Sequence, residues 1–264
     1  MDKNTVSRDG TPIAYERLGD GPPIILVAGA MCTGATLAPL AAALSDRFGA
    51  VVYDRRGRGA SGDTAPFAVA REVEDIAALI EACGGGAALF GVSSGGALAL
   101  EAAASGLPLT EVAVYETPFA VHDEGRAERR AYTARLTGLL AEDRRGDAVE
   151  LFLSLTGMPP EMIAGTRRSP AWPDMEAIAP TLAYDDAALG DGPVPTERLA
   201  AIGVPLLSVA GGASPEWMRE AARAVADAAP DGTYRVLDDQ THMVDPQVLA
   251  PALADFFGGT AEAG

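Results

Sequence analysis

Residues 87–96 read Ala-Ala-Leu-Phe-Gly-Val-Ser-Ser-Gly-Gly. A short apolar run, a G-x-S-x-G match (Gly91-Val92-Ser93-Ser94-Gly95) and the first turn of a helical pattern follow one another in that order. A serine at a strand-to-helix junction of this kind is forced onto a sharp turn. The flanking glycines leave room for a strained backbone and for close helix packing. A bare match in a chain with 30 glycines would carry little, but the order strand, motif, helix makes it specific. Ser94 is the competing nucleophile; it loses because the residue two before it is Val92, where such an elbow wants glycine.

Working outward, Ile24 to Ala28 (IILVA), Ala50 to Tyr53 (AVVY), Ala87 to Phe90 (AALF) and Val112 to Tyr115 (VAVY) are short apolar runs without polar alternation. Strands of a parallel sheet covered on both faces have this pattern. Between them lie helical patterns at Thr36 to Phe48 and Val69 to Ala82. A third begins at Ser93 and stops near Gly106-Leu107-Pro108, a glycine followed by proline. At the front, Val6 to Arg8 and Pro12 to Arg17 flank Asp9-Gly10 and read as an antiparallel pair. The alternation predicts an α/β fold with right-handed crossovers.

After Pro118 the rhythm breaks. A charged helical stretch (Asp123 to Arg145), an amphipathic one (Ala148 to Leu155) and proline-punctuated pieces up to Pro195 contain no parallel-strand run. Strand signals resume at Pro205 to Ala210 (PLLSVA) and Thr233 to Leu237, separated by a helix from Pro215 to Ala229. A terminal helix should begin just before Pro251, because proline is tolerated at N1 and not deeper. The expected organisation is a core of residues 1–117 and 202–264 with a helical cap, 118–201, spliced into it.

Composition closes several doors. The chain of 264 residues carries 37 acidic and 20 basic side chains, a formal charge of -17, and so lacks the basic footprint of a nucleic-acid binder. Its one lysine, Lys3, lies beside the N-terminus, which speaks against Schiff-base chemistry. The two cysteines, Cys32 and Cys83, and the two histidines, His122 and His242, show no zinc spacing and imply no disulfide framework. The first ten residues lack an apolar signal core and no apolar run approaches the roughly 20 residues that span a bilayer. A cytoplasmic protein with no membrane or nucleic-acid partner and no cofactor is expected.

The sequence resembles the α/β-hydrolase superfamily over essentially its whole length. Besides the elbow, Asp54-Arg55-Arg56-Gly57-Arg58-Gly59-Ala60-Ser61-Gly62 is similar to the superfamily's D-x-R-G-x-G-x-S loop. Ala28-Gly29-Ala30 stands where many members carry His-Gly-x, with Ala28 as a departure. The resemblance implies a mostly parallel central sheet with helices on both faces, and a serine nucleophile, Ser93. His242, in the loop after the last strand signal, occupies the place of the superfamily's base. His122, beside Asp123 and Glu124, reads as a solvated surface histidine.

The acid is less determined. Its usual loop, Gly211-Gly212-Ala213-Ser214-Pro215, offers no carboxylate. Some members place it at the end of the preceding strand, where this chain has Glu116. Asp238 and Asp239 remain alternatives, as does a Ser-His dyad without an acid; Asp245 reads as a cap before Pro246. The resemblance further implies an oxyanion hole formed by the backbone N–H groups of Ala30 and Ser94.

The resulting expectation is a serine hydrolase acting on a small, largely apolar ester, lactone or thioester through an acyl-enzyme. The alternative is a non-hydrolytic biosynthetic cyclase or lyase on the same fold, and a third reading is a ligand-binding relative without turnover. Dehalogenases and epoxide hydrolases of the superfamily carry aspartate at the elbow, so Ser93 speaks against both. Arg55, Arg56 and Arg58 could clamp an anion, but a structural role for Asp54 and Arg56 is the simpler reading. Cys32 reads as a small buried residue. Phe119, Phe152, Trp172 and Tyr184 line a pocket or form the insertion's own core.

Overall fold

The computed structural model describes residues 3–259. Its elements in chain order are β1 (Lys3–Val6), β2 (Pro12–Leu18), β3 (Pro23–Val27), α1 (Ala38–Leu44), β4 (Gly49–Tyr53), α2 (Val69–Ala82), β5 (Ala87–Val92), α3 (Ser94–Ala104) and β6 (Leu109–Tyr115). There follow α4 (Asp123–Ala141), α5 (Arg145–Leu155), α6 (Pro160–Arg167), α7 (Trp172–Ile178), α8 (Leu182–Leu189) and α9 (Thr196–Leu199). The chain closes with β7 (Leu206–Gly211), α10 (Glu216–Ala228), β8 (Gly232–Leu237) and α11 (Pro246–Gly258).

The eight strands form one sheet in the order β1-β2-β4-β3-β5-β6-β7-β8. β1 and β2 pair antiparallel, as do β2 and β4; β3 to β8 are parallel to one another. Alternate residues of the parallel strands β3 to β6 enter opposite cores. Ile25, Val27 and Leu89 pack with α2, α3 and Val225 of α10, whereas Ile24, Leu26 and Phe90 pack with α1 and α11. Both faces are therefore apolar, and the strands read as continuous apolar runs for that reason. The expected α/β architecture is the one observed.

Two expected helices differ in extent. The pattern from Thr36 to Phe48 resolves into a single 3-10 turn at Gly34–Leu37 and α1, which ends at Leu44. Phe48 keeps the spacing because it is buried against the same cluster as Leu40 and Leu44, beyond the helix end. The charged helix from Asp123 likewise ends early, at Ala141, before Asp143, which takes φ +53°, and Arg145 already opens the next helix, α5.

The terminal helix is the clearer correction. It starts at Pro246, and Pro251 lies inside it. Pro246 occupies the first turn, and Asp245 accepts a hydrogen bond from the Gln247 N–H at 2.8 Å, which makes Asp245 the N-cap. Pro251 and Gln247, whose carbonyl the proline leaves without its helical donor, are both exposed, so water can serve the orphaned group. Burial of Leu249, Leu253 and Phe257 offsets the interior proline's cost of about 3 kcal/mol. Asp245→Ala should then lower stability by about 1 kcal/mol, read as a shift in urea midpoint with an unchanged slope.

The helices α4 to α9 lie between β6 and β7 and carry two small apolar clusters of their own. Tyr132, Leu136, Leu139, Ala148 and Leu182 form one, and Val149, Leu153, Ile163, Trp172 and Ala179 the other. Phe152 packs against both. Of the remaining expected aromatics, Phe119 joins the main core, and Tyr184 stacks on Phe67 with ring centroids 3.7 Å apart. No helix among the described residues is long and apolar enough to cross a membrane.

Candidate active site

Ser93 stands between β5 and α3 with φ +56° and ψ -128°. A non-glycine residue held in this region costs on the order of 1–3 kcal/mol and persists only when its surroundings fix it. Its N–H donates to the Tyr115 carbonyl at 2.9 Å, anchoring the turn to the neighbouring strand. The elbow glycines are required by close approach. A Cβ on Gly95 would overlap the carbonyls of Val27 and Ala28, and one on Gly91 would overlap the Gly95 carbonyl.

The Ala28 to Cys32 loop lies against the same turn. A Cβ built on Gly29 would be 3.1 Å from Ser93 Cβ and 3.7 Å from its Oγ. The two backbone segments that carry Ala30 and Ser94 therefore approach each other at Ser93. Ser93 is half-buried, and its hydroxyl makes no hydrogen bond to a described residue.

Glu116 follows β6, one strand over from Ser93. It is fully buried, at 0% exposure, and takes φ +47°, which turns the chain off the strand end. Its N–H donates to the Val209 carbonyl at 3.0 Å. Both carboxylate oxygens are engaged: Oε1 accepts from the Gly211 N–H at 2.8 Å, and Oε2 lies 2.9 Å from His242 Nδ1. A carboxylate only accepts, so Nδ1 carries the proton in this contact and Nε2 is left as the basic nitrogen.

The histidine loop is held from the same strand. Tyr115 Oη donates to the Thr241 carbonyl at 2.6 Å, next to His242, whose side chain is 40% exposed. Ser93, Glu116 and His242 thus follow β5, β6 and β8 at the carboxyl edge of the parallel sheet, where ligand sites of open α/β sheets lie. The structure brings Glu116 and not Asp238 or Asp239 to the imidazole; both aspartates are exposed. His122 lies elsewhere, exposed, with Nε2 2.7 Å from Glu220 Oε2. Cys32 is a free, half-buried cysteine, and burial pushes its thiol up from its ordinary value.

The arginine-rich loop is wholly engaged within the protein. Asp54 accepts from the N–H groups of Gly34 and Ala60, each at 2.9 Å. Arg56 pairs with Asp75 through two hydrogen bonds of 2.7 and 2.8 Å and with Asp9 at 3.0 Å. Arg55 pairs in the same two-pronged way with Glu72, at 2.7 and 2.8 Å. Asp185, on α8, was not singled out by the sequence. It receives Arg55 at 2.6 Å and Arg58 at 2.7 Å, and Ser94 Oγ donates to it at 2.8 Å.

Burial alone would raise the Asp185 carboxyl, but the charges of Arg58 and Arg55 and the hydrogen bonds from Arg58 and Ser94 outweigh it, holding the group below its ordinary value. A lowered native pKa contributes stability in full above the unfolded value of about 3.9, and that stability is lost as pH falls through the native value. Urea midpoints measured from about pH 5 down to about pH 2 should therefore fall less steeply for Asp185→Asn than for the wild type. Among the described residues no group of three or more His, Cys, Asp or Glu side chains could hold a metal ion.

Comparison with known proteins agrees with this architecture. An alpha/beta hydrolase from Sphaerobacter thermophilus is 52% identical, over 97% of this chain and all of that one, with a TM-score of 0.87. An esterase from Thermogutta terrifontis shares the fold at 24% identity and TM-score 0.73, with 97% of this chain and 98% of that one covered. A Mycobacterium tuberculosis protein named BpoC, a candidate non-heme bromoperoxidase, is 28% identical over 93% of this chain and 97% of its own. The profile of the alpha/beta hydrolase family matches residues 24–253, a span that runs from β3 into α11 and contains all three of Ser93, Glu116 and His242, and the chain belongs to that family.

Proposed function

We propose that the protein is a serine hydrolase that cleaves a small, largely apolar ester, lactone or thioester through an acyl-enzyme. The observation that carries this reading is the pairing of buried Glu116 with His242 Nδ1 at 2.9 Å, beside a serine on a strained elbow. In the proposed cycle His242 Nε2 takes the Ser93 proton as Oγ attacks the acyl carbon. Glu116 keeps the ring in the required tautomer and stabilises the imidazolium. The N–H groups of Ala30 and Ser94 bind the tetrahedral oxyanion. His242 then returns the proton to the leaving group, and the same histidine activates water to release the acid. In this reading the Ser93 Oγ–Nε2 hydrogen bond forms as substrate binds, as catalytic contacts of this kind commonly tighten only then.

The apolar preference is supported by the surroundings of Met31. This residue follows Ala30 and packs with partly buried Phe152 against both clusters of the helical insertion, and with Met158 and Met175 against the second. Methionine is unbranched and repacks readily around varied alkyl groups. In this reading residues 118–201 act as a cap over a core of 1–117 and 202–264, and no metal or organic cofactor takes part. The description of the Sphaerobacter protein as a hydrolase points the same way, while the fold itself hosts many chemistries.

The test is covalent labelling. A fluorophosphonate probe should attach to the peptide containing Ser93, located by tandem mass spectrometry, and p-nitrophenyl acetate should be turned over. Folded protein that stays unlabelled would sink the proposal.

A further inference from the structure

Beneath the insertion lies a buried cluster that the catalytic cycle above does not use. Arg55 and Arg58 face Glu72 and Asp185, all four at least 96% buried, so the charges cancel. Buried charges are tolerated when paired and fully hydrogen-bonded, and here each guanidinium also donates to backbone. Arg58 Nη1 donates to the Gly29 carbonyl at 2.7 Å and to the Cys32 carbonyl at 3.2 Å, and Arg55 Nη1 to the Ala28 carbonyl at 3.3 Å. Arg58 Nε donates to Thr181 Oγ1 at 3.1 Å.

The Gly29 contact has a geometric consequence. Its carbonyl and the Ala30 N–H belong to one planar trans peptide and point in opposite directions. A carbonyl held on Arg58 therefore directs the Ala30 N–H away from the guanidinium, and the charge-assisted bond polarises that N–H. Asp185 holds the other end of Arg58 and accepts the hydroxyl of Ser94, whose own N–H begins α3. One carboxylate from the insertion is thus tied to both core segments that meet at Ser93.

We propose that Arg58 and Asp185 are positioning residues for the oxyanion hole: Arg58 aims the Gly29–Ala30 peptide and Asp185 fixes Arg58 and Ser94 relative to it. The inference rests on the serine hydrolase reading given above. Neither residue touches substrate, and their effect is on where two backbone donors point. The consequence is that α8, an element of the insertion, helps set the catalytic geometry of the core.

The experiment compares Arg58→Lys with wild type, since an ammonium keeps the charge but cannot reach Asp185 and the Gly29 carbonyl in the same planar fork. Ser94→Ala, which keeps the N–H and all buried ion pairs, carries the test if Arg58→Lys does not fold. The readouts are kcat and KM on a p-nitrophenyl ester, and Ki for a trifluoromethyl ketone. That ketone adds Ser93 Oγ at its carbonyl carbon, passes the serine proton to His242 and leaves an oxyanion in the hole. Arg58→Lys should lower kcat and weaken Ki by about tenfold or more, with KM within about twofold; Ser94→Ala should show the same pattern at about threefold or more.

A folded variant with a shifted thermal midpoint but with kcat and Ki within about twofold of wild type would overturn the inference and leave the hydrolase reading standing. Wild-type protein unlabelled at Ser93 by the fluorophosphonate would instead remove the reading beneath it, and the inference with it.

Discussion

Ser93→Ala is expected to lower kcat/KM for a p-nitrophenyl ester by roughly 10⁴- to 10⁶-fold and to abolish fluorophosphonate labelling. The expectation follows from where the serine stands. Its backbone is held at φ +56° by the turn, by the Tyr115 carbonyl and by the glycine contacts with β3. None of these involves the hydroxyl. Alanine can take the same backbone conformation at a similar cost, so the variant should fold with a thermal midpoint close to wild type. Loss of activity is then attributable to the missing nucleophile.

The residual rate of such a variant would come from the oxyanion donors and substrate binding, which act without the serine. Two results would contradict the acyl-enzyme. A variant retaining more than about a tenth of wild-type ester turnover would place the nucleophile elsewhere. An unchanged rate on the natural substrate, with ester turnover lost, would favour the non-hydrolytic cyclase or lyase chemistry that the same fold supports.

Much of the fold was legible because the sheet is buried on both faces. Ile24 to Ala28 and Ala87 to Phe90 carry no polar alternation, since their residues enter cores on opposite sides. Helix α2 was legible to its ends, Val69 and Ala82, because its apolar stripe is uninterrupted by glycine or proline. What misled were residues whose usual meaning is overridden by burial. Pro251 reads as a helix start, yet the apolar face from Leu249 to Phe257 is docked on the sheet and holds the helix through it. Phe48 reads as helical because it fills the space beside Leu44 from outside the helix.

At the site the elbow was legible as a local pattern, five contiguous residues with a steric logic of their own. The Arg58–Asp185 pair was not, because its partners are far apart in sequence and nothing near Asp185 distinguishes it from the adjacent, partly exposed Asp186. Ion pairs across an insertion carry no periodicity and no spacing. Glu116 lies between these cases. Its position after β6 could be read, but its choice over Asp238 and Asp239 depends on which strand ends the sheet order makes neighbours.

Glu116→Gln should lower kcat by roughly 10³- to 10⁴-fold while leaving the fold and KM nearly intact. Glutamine has the same reach, and its carbonyl oxygen can still accept from either Gly211 N–H or His242 Nδ1–H. It has only one such oxygen, whereas glutamate offers Oε1 to Gly211 at 2.8 Å and Oε2 to His242 at 2.9 Å. If the amide nitrogen is turned to the ring, Nδ1 must accept and the proton moves to Nε2, which then cannot take one from Ser93. If it is turned to Gly211, two donors face each other in a fully buried place, at a cost of about 1–3 kcal/mol. The second strain is relieved by adopting the first arrangement, so the wrong tautomer should dominate. Glu116→Ala should lose activity to a similar degree and lose stability as well, because it leaves the Gly211 N–H unpaired. Asp238→Asn and Asp239→Asn, altering exposed carboxylates away from the ring, should retain kcat within about twofold. Kinetics of these four variants on one ester separate the assignments: full activity in Glu116→Gln would remove Glu116 from the proposed triad, and a large loss in either aspartate variant would transfer the role.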